Sequence, residues 1–206
     1  MNIQAALINV SLLWLLTAPH EFAHAWVATL LGDDTPRREG RVTLNPLAHV
    51  DWLGTTILPA LTSLLGGGFL GWGKPVNTNP SQLRWGLKGL ALVALAGPAS
   101  NVIFAVLLAV LSVWMTKFSP AAALYFKYGV RLSLYLAIFN LLPVPPLDGS
   151  KLLLAAKIPY FIYAELARFG FVLLIVALSV TGLGLWMSTW SYEATAQIFR
   201  VLRAEL

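Results

Sequence analysis

Long apolar stretches are the feature that most constrains what this chain can fold into. About 20 apolar residues cross the hydrocarbon core of a bilayer as one helix, and lipid-exposed backbone must satisfy its own hydrogen bonds. Apolar residues make up 58% of the chain and charged residues 11%, which is more apolar surface than a soluble domain of 206 residues can bury. We therefore predict an all-α polytopic membrane protein, with candidate segments at residues 3–31, 52–70, 87–115, 121–142 and 169–187.

The first apolar segment contains the motif HEFAH at residues 20–24. Residues four apart share one face of a helix, so His20 and His24 can hold one metal ion, and Glu21 can accept a proton from a metal-bound water. HExxH also occurs by chance, but ionisable groups at membrane depth are costly and usually functional. The chain has no cysteine, which excludes a thiolate site and leaves His, Asp and Glu as ligands.

Asp148 is the best candidate for a third ligand, since an open catalytic zinc site has three protein ligands. It ends the stretch NLLPVPPLDG at residues 140–149, whose prolines exclude a regular helix. Asn140 in the same stretch is a candidate donor to a developing oxyanion. His49 and Asp51 compete for the third ligand position; a polar surface loop, or a loop that lines or gates the site, would also explain them.

Two further motifs are candidates for substrate contact. Residues 140–148 form a proline-stiffened strip that includes Pro143 and Pro145, and an unwound peptide could pair with it as an added strand. GPASN at residues 97–101 places small residues and Asn101 within an apolar segment. Helix packing explains that motif well, since small residues permit close approach, and contact between Asn101 and substrate is the alternative.

The position of Asp148 bears on how many segments cross the membrane. If residues 52–70 crossed, Asp148 would emerge on the opposite face from His24. We therefore predict that residues 52–76, broken by Pro59 and a run of glycines, form a re-entrant or membrane-associated element. Residues 71–76 would continue it as an irregular segment or a short β strand. The remaining spans, about 3–31, 87–115, 121–142 and 169–187, lie in one membrane-embedded domain over residues 1–187, which contains the candidate metal ligands. An amphipathic tail over residues 188–206 follows it.

Charge distribution predicts the orientation. Lys and Arg number 14 against 9 acidic residues. Nine of the 14 fall in loops on the face shared by His24 and Asp148, namely Arg37, Arg38, Arg41, Lys74, Arg84, Lys88, Lys151, Lys157 and Arg168. By the positive-inside rule the site then lies toward the cytoplasmic side of the cell membrane, and the basic residues mark topology and lipid contact rather than a nucleic-acid surface.

Taken together, HEFAH, GPASN and NLLPVPPLDG resemble the site-2 protease family (peptidase family M50), intramembrane zinc metalloproteases, in a compact prokaryotic type with the HExxH helix first. GRVTLNPLAHVD at residues 40–51 and GWGKPV at residues 71–76 are also similar, so the resemblance covers about residues 3–151. Pro19, directly before the motif, departs from the pattern.

The resemblance implies a fold, a cofactor and a substrate class. It implies a three-helix catalytic core plus a further span, with one zinc ion on His20, His24 and Asp148 and Glu21 as general base. The substrate would be a transmembrane helix of a single-span membrane protein. No PDZ or CBS domain fits this length, so selection would use the core, the tail or a separate adaptor.

Two other functions use the same residues. A membrane metal-ion carrier or sensor would bind metal through these ligands without hydrolysis, and an inactive family member would only bind membrane helices. Glu21 favours the protease, because a carrier needs no carboxylate directly after the first histidine.

Overall fold

The computed structural model describes residues 3–65 and 71–203, and this part of the chain is helical and contains no strand. The all-α prediction is therefore confirmed for the described residues. Three of the helices are long and apolar enough to cross a membrane, namely Ile3–Leu30, Leu87–Met115 and Tyr160–Val180. In chain order the helices are α1 (Ile3–Leu30), α2 (Thr35–Arg38), α3 (Leu58–Leu64), α4 (Leu87–Met115), α5 (Pro120–Leu141), α6 (Gly149–Ala155), α7 (Tyr160–Val180) and α8 (Leu183–Val201).

Helix α5 corresponds to the segment predicted at residues 121–142. Its 22 residues are enough to cross a bilayer. It carries Lys127 and Arg131, however, and it is not among the three helices that are apolar enough by composition. A buried cluster from α1, α4, α5 and α8 packs these helices together, through Leu16, Ala105, Leu108, Ala109, Val130, Leu134 and Phe199.

The directions of α1, α4 and α5 explain how distant residues meet. Helix α4 runs antiparallel to α5, since the Ser112 hydroxyl donates to the Ala123 carbonyl while the Ser133 hydroxyl donates to the Asn101 carbonyl. Helix α4 also runs antiparallel to α1, because its start lies beside His24 and its middle packs against Leu16. Helices α1 and α5 therefore run in the same direction and end near each other.

The segment predicted as re-entrant or membrane-associated, residues 52–76, begins with helical structure. A turn of π-helix over Trp52–Ile57 leads into α3, and this unit runs antiparallel to α1. Two hydrogen bonds fix it there: the Trp14 indole donates to Thr56 Oγ1 at 3.1 Å, and Asn9 Nδ2 donates to Ser63 Oγ at 2.9 Å. The predicted segment also included residues 66–70, which lie outside the described residues.

The short β segment predicted in this region is not found among the described residues. Residues 71–78, which we term the crossing segment, return past α1 without regular structure. The N–H groups of Trp72 and Lys74 donate to the Gly54 and His49 carbonyls, at 3.0 and 2.9 Å. Those carbonyls belong to a helical turn and a loop, and Pro75 has no N–H, so no strand ladder forms.

The last predicted span, residues 169–187, also needs correction. Helix α7 begins earlier, at Tyr160, and ends at Val180, and α8 begins at Leu183. Gly182 has φ +72°, a left-handed conformation that glycine adopts without strain and that separates the two helices. The average hydropathy of residues 169–187 does not depend on the backbone conformation of one glycine, so it gave no sign of this break. The tail predicted from residue 188 is thus mostly part of α8, whose Met187 and Phe199 are buried.

Candidate metal centre

His20, His24 and Asp148 converge on one point between α1 and the loop that follows α5. Their ligand atoms all lie within 4.8 Å of one another. His20 Nε2 and His24 Nε2 are 3.1 Å apart, and Asp148 Oδ2 lies 3.2 Å from the first and 3.0 Å from the second. All three residues are buried. The structure therefore brings together the three residues that the sequence indicated as ligands.

The separations fit a tetrahedral ion. Ligand atoms bound to zinc at about 2.0–2.1 Å in tetrahedral geometry lie about 3.3 Å apart. The three observed separations of 3.0 to 3.2 Å are close to that value. Two imidazoles and one carboxylate are also a known donor set for catalytic zinc, which leaves a fourth position open.

The ring of His24 is oriented by α4. Its Nδ1 lies 2.7 Å from the Val93 carbonyl oxygen, which can only accept, so Nδ1 carries the proton. The lone pair of Nε2 then points at His20 and Asp148, as metal ligation requires. His20 has no such support, because its Nδ1 is buried without a hydrogen-bond partner.

Gly97 on α4 makes room for the two histidines. A Cβ at this position would lie 2.3 Å from His24 Nε2 and 2.6 Å from His20 Cε1, distances that real Cβ atoms essentially never show. The small residue in the GPASN motif thus allows the backbone of α4 to lie directly against the imidazoles.

Asp148 is positioned by the start of α6. It is the residue before Gly149, where α6 begins, and Lys151 Nζ donates to its Oδ1 at 2.9 Å. This contact occupies one carboxylate oxygen and leaves Oδ2 facing the histidines. Burial would raise the pKa of the Asp148 carboxyl, but His24 and His20 beside it hold that pKa well below its usual range. This shift favours the ionised carboxylate, the form that binds a metal ion.

Glu21 lies next to the cluster and contacts the crossing segment. The Val76 backbone N–H donates to Glu21 Oε2 at 3.1 Å, and the side chain is buried. Gly73 permits this approach, since a Cβ there would lie 2.3 Å from Thr17 Cγ2 and 3.4 Å from Glu21 Oε1. The crossing segment thus binds Oε2 of the carboxylate, and the absence of a side chain at Gly73 leaves space beside Oε1.

A cavity of about 190 Å³ adjoins these residues. Glu21 and all three candidate ligands line it, as do Asn101 and Asn140. The Asn101 side chain is buried, and its Oδ1 has no partner. Asn140 Nδ2 donates to the Leu136 carbonyl at 3.0 Å, and the amide retains a second N–H. Leu13, Leu16, Val93, Leu136, Phe139 and Leu147 supply much of the apolar wall.

The structure does not bring the other sequence candidates into this cavity. His49 is fully buried, and its Nε2 donates to the Thr43 carbonyl at 2.8 Å. Burial lowers the pKa of His49, and the charge of Arg41 lowers it further. Asp51 caps the following turn by accepting from the Gly54 N–H at 2.8 Å.

The proline strip reaches the cavity at one proline. Pro146 lines it, whereas Pro143 and Pro145 are not among the lining residues. Pro145 instead contacts α7, because a Cβ added at Gly170 would lie 1.9 Å from the Pro145 carbonyl oxygen. This part of the strip therefore packs against a helix.

Sequence reasoning missed three contacts at the site. Lys151 was counted only as a loop charge, although its position three residues after Asp148 on a helix could have indicated the contact. The Val93 carbonyl and the Val76 N–H are backbone groups, so no residue type marks them in advance.

The chain is similar to several curated proteins. It is 38% identical over 176 residues to "Putative zinc metalloprotease YwhC" of Bacillus subtilis, an alignment that covers 80% of this chain and 76% of that protein. Rip2 of Mycolicibacterium smegmatis and MJ0611 of Methanocaldococcus jannaschii carry the same description. Identity is 34% over 181 residues for Rip2, covering 84% of this chain and 67% of Rip2. For MJ0611 it is 39% over 100 residues, covering 48% of this chain and 44% of MJ0611. No family model and no solved structure matches the chain.

Proposed function

The chain belongs to the zinc metalloprotease family of YwhC and Rip2, and we propose that within it this protein is an intramembrane endopeptidase of the site-2 protease type. It hydrolyses peptide bonds in transmembrane segments of single-span membrane proteins. One observation carries the proposal: His20 and His24 lie on a helix apolar enough to cross a membrane and meet Asp148 beside the carboxylate of Glu21.

The residues around the cavity have distinct roles in this reaction. A zinc ion held by His20, His24 and Asp148 would lower the pKa of a water ligand toward neutrality and polarise the scissile carbonyl. Glu21 accepts the proton from the attacking water and later delivers it to the leaving amine. The free N–H of Asn140 is available to the oxyanion that develops on the carbonyl.

The size of the cavity restricts the conformation of the substrate. A helix with its side chains is about 10–12 Å across, and its carbonyls are engaged in internal hydrogen bonds. A cavity of about 190 Å³ is too small to hold such a helix. The substrate therefore unwinds locally before cleavage, and helix-breaking residues in it favour cutting.

The same proposal places the chain in the membrane. Helices α1, α4, α5 and α7 cross it, and the unit formed by Trp52–Ile57 and α3 enters and returns on the side of the metal ligands. The excess of Lys and Arg in the loops on that side orients the site toward the cytoplasm.

Cleavage of single-span test substrates by the purified protein in detergent, with bound zinc measured, tests the proposal. Glu21→Gln should retain zinc and lose cleavage by about a thousandfold or more, since it removes the general base. Glu193→Gln, an exposed glutamate on α8, is the matched control and should cleave like the wild type. Equal cleavage by wild type and Glu21→Gln would refute the protease, and metal transport unaffected by Glu21→Gln would favour a carrier.

A further inference from the structure

Arg41 is a buried arginine whose partners are backbone carbonyls. It lies in the loop after α2, with 4% of its surface exposed. Its two terminal nitrogens donate to the Ala48 and Lys74 carbonyl oxygens. The ion pairs of the described residues do not include Arg41, and its Nε has no hydrogen-bond partner.

Burial of this guanidinium is costly, because a charge removed from water is stabilised best by an opposite charge with good hydrogen-bond geometry. Burial accordingly lowers the pKa of Arg41, while the carboxylates of Glu21 and Glu39 act in the opposite direction. An apolar side chain could fill the same volume without this cost. Unlike an apolar side chain, the planar guanidinium of Arg41 can donate hydrogen bonds to two separate carbonyls at once.

The two carbonyls belong to different segments. Ala48 ends a short 3₁₀ turn, and Lys74 lies in the middle of the crossing segment. The Lys74 N–H donates to the His49 carbonyl at 2.9 Å. Both the N–H and the carbonyl of Lys74 are therefore hydrogen-bonded to the loop that contains Arg41. Arg41 thus fixes the crossing segment to the loop that contains Ala48 and His49.

The contact with the general base follows directly along the chain. Two residues after Lys74, the Val76 N–H donates to Glu21 Oε2 at 3.1 Å. A glutamate has three rotatable bonds, and a catalytic group must be held to about 0.5 Å of its working position. The hydrogen bond from Val76 restricts the carboxylate, and its direction depends on where the crossing segment lies.

We propose that Arg41 is a positioning residue for Glu21 and acts through the crossing segment. Its guanidinium holds the Lys74 carbonyl, which places the Val76 N–H against one carboxylate oxygen of Glu21 and leaves the other oxygen to receive the proton. The inference rests on the proposed function for its catalytic consequence. The structural part, that Arg41 immobilises the crossing segment, can be measured separately.

Hydrogen–deuterium exchange of the crossing segment, residues 71–78, in the full-length protein tests the structural part. Arg41→Met should speed exchange in this segment by about tenfold or more, because its anchoring hydrogen bonds are lost. Arg38→Met is the matched control: Arg38 is an exposed arginine three residues earlier, and its substitution should leave exchange unchanged. Unchanged exchange in Arg41→Met would overturn the proposal, whatever the protein cleaves.

Cleavage kinetics with bound zinc measured test the catalytic part. Arg41→Met should lower kcat by about ten- to a hundredfold, the usual effect of losing a group that orients a site, with KM and zinc content near wild type. Val76→Pro removes the N–H that contacts Glu21 and should lower kcat similarly, and the double variant should be no slower than Val76→Pro alone. Effects that multiply in the double variant would show that Arg41 does not act through Val76.

Arg41→Lys keeps the charge without the fork that spans two carbonyls. It should show the same loss of kcat as Arg41→Met, and it replaces that variant in the assay if Arg41→Met fails to fold. A wild-type kcat in Arg41→Lys would contradict the role of the guanidinium. Absence of cleavage by the wild type would refute the proposed function alone, since the exchange result does not depend on it.

Discussion

Replacing Gly97 with alanine should disrupt metal binding through a single methyl group. The added Cβ would lie 2.3 Å from His24 Nε2, 2.5 Å from His24 Cε1 and 2.6 Å from His20 Cε1. Ordinary contacts begin near 3.4 Å, so the imidazoles and α4 must separate by about 1 Å. Metal–ligand distances tolerate about 0.2 Å, so a shift of this size breaks the coordination geometry.

The magnitude follows from comparable perturbations. Disturbing the groups that orient metal ligands costs about ten- to a hundredfold in metal affinity, or about 1.4–2.7 kcal/mol. We expect Gly97→Ala to lie at or above the upper end, because it moves two ligands at once. Alanine stabilises a helix interior by about 1 kcal/mol relative to glycine, so helix propensity alone would not produce a loss.

Competition with a chelating dye measures the zinc affinity of the purified protein, and circular dichroism checks that the helices persist. Gly129→Ala on α5 is the matched control. A Cβ there would meet only the ends of the Leu108 and Leu12 side chains, at 3.0 and 3.2 Å, and these can move. Wild-type zinc affinity in Gly97→Ala, or an equal loss in Gly129→Ala, would refute the reasoning.

Two further predictions concern the surroundings of the centre. Lys151→Met should weaken zinc binding by about tenfold, because Asp148 loses the contact that orients its carboxylate; unchanged affinity in the same dye assay would contradict this. Because burial lowers the pKa of His49 in the folded state, the unfolded chain takes up the proton first as pH falls. The contribution of neutral His49 to the free energy of unfolding should therefore be fully present above about pH 6.5. It should decline below that pH by at most about 1.4 kcal/mol per pH unit. His49→Gln should flatten this decline in melting temperature between pH 7.5 and 5.5, and an unchanged slope would show that His49 does not cause it.

The metal cluster could be predicted because few residues were available for it. His20 and His24 share a helix face by spacing, and Asp148 was one of few acids in a chain that has no cysteine. The observed directions of α1, α4 and α5 agree with the argument that His24 and Asp148 lie at one end of the bundle.

The parts that sequence reasoning missed depend on packing rather than on periodicity. The sequence left the crossing segment open between a short strand and an irregular segment. Pro75 and the helical and loop carbonyls that the segment contacts exclude a strand ladder. The break between α7 and α8 depends on the backbone conformation of Gly182 alone. Arg41 was counted as a loop charge, since nothing in the sequence indicates that its guanidinium is buried.

Zinc content and cleavage measured together for Asp148→Ala and His49→Gln test most directly the claim that His20, His24 and Asp148 hold a catalytic zinc ion. Asp148→Ala should lose both zinc and cleavage of a single-span substrate, because two imidazoles alone hold the ion weakly. His49→Gln should retain both, since His49 contacts Thr43 and does not line the cavity. Zinc and cleavage retained by Asp148→Ala but lost by His49→Gln would contradict the account.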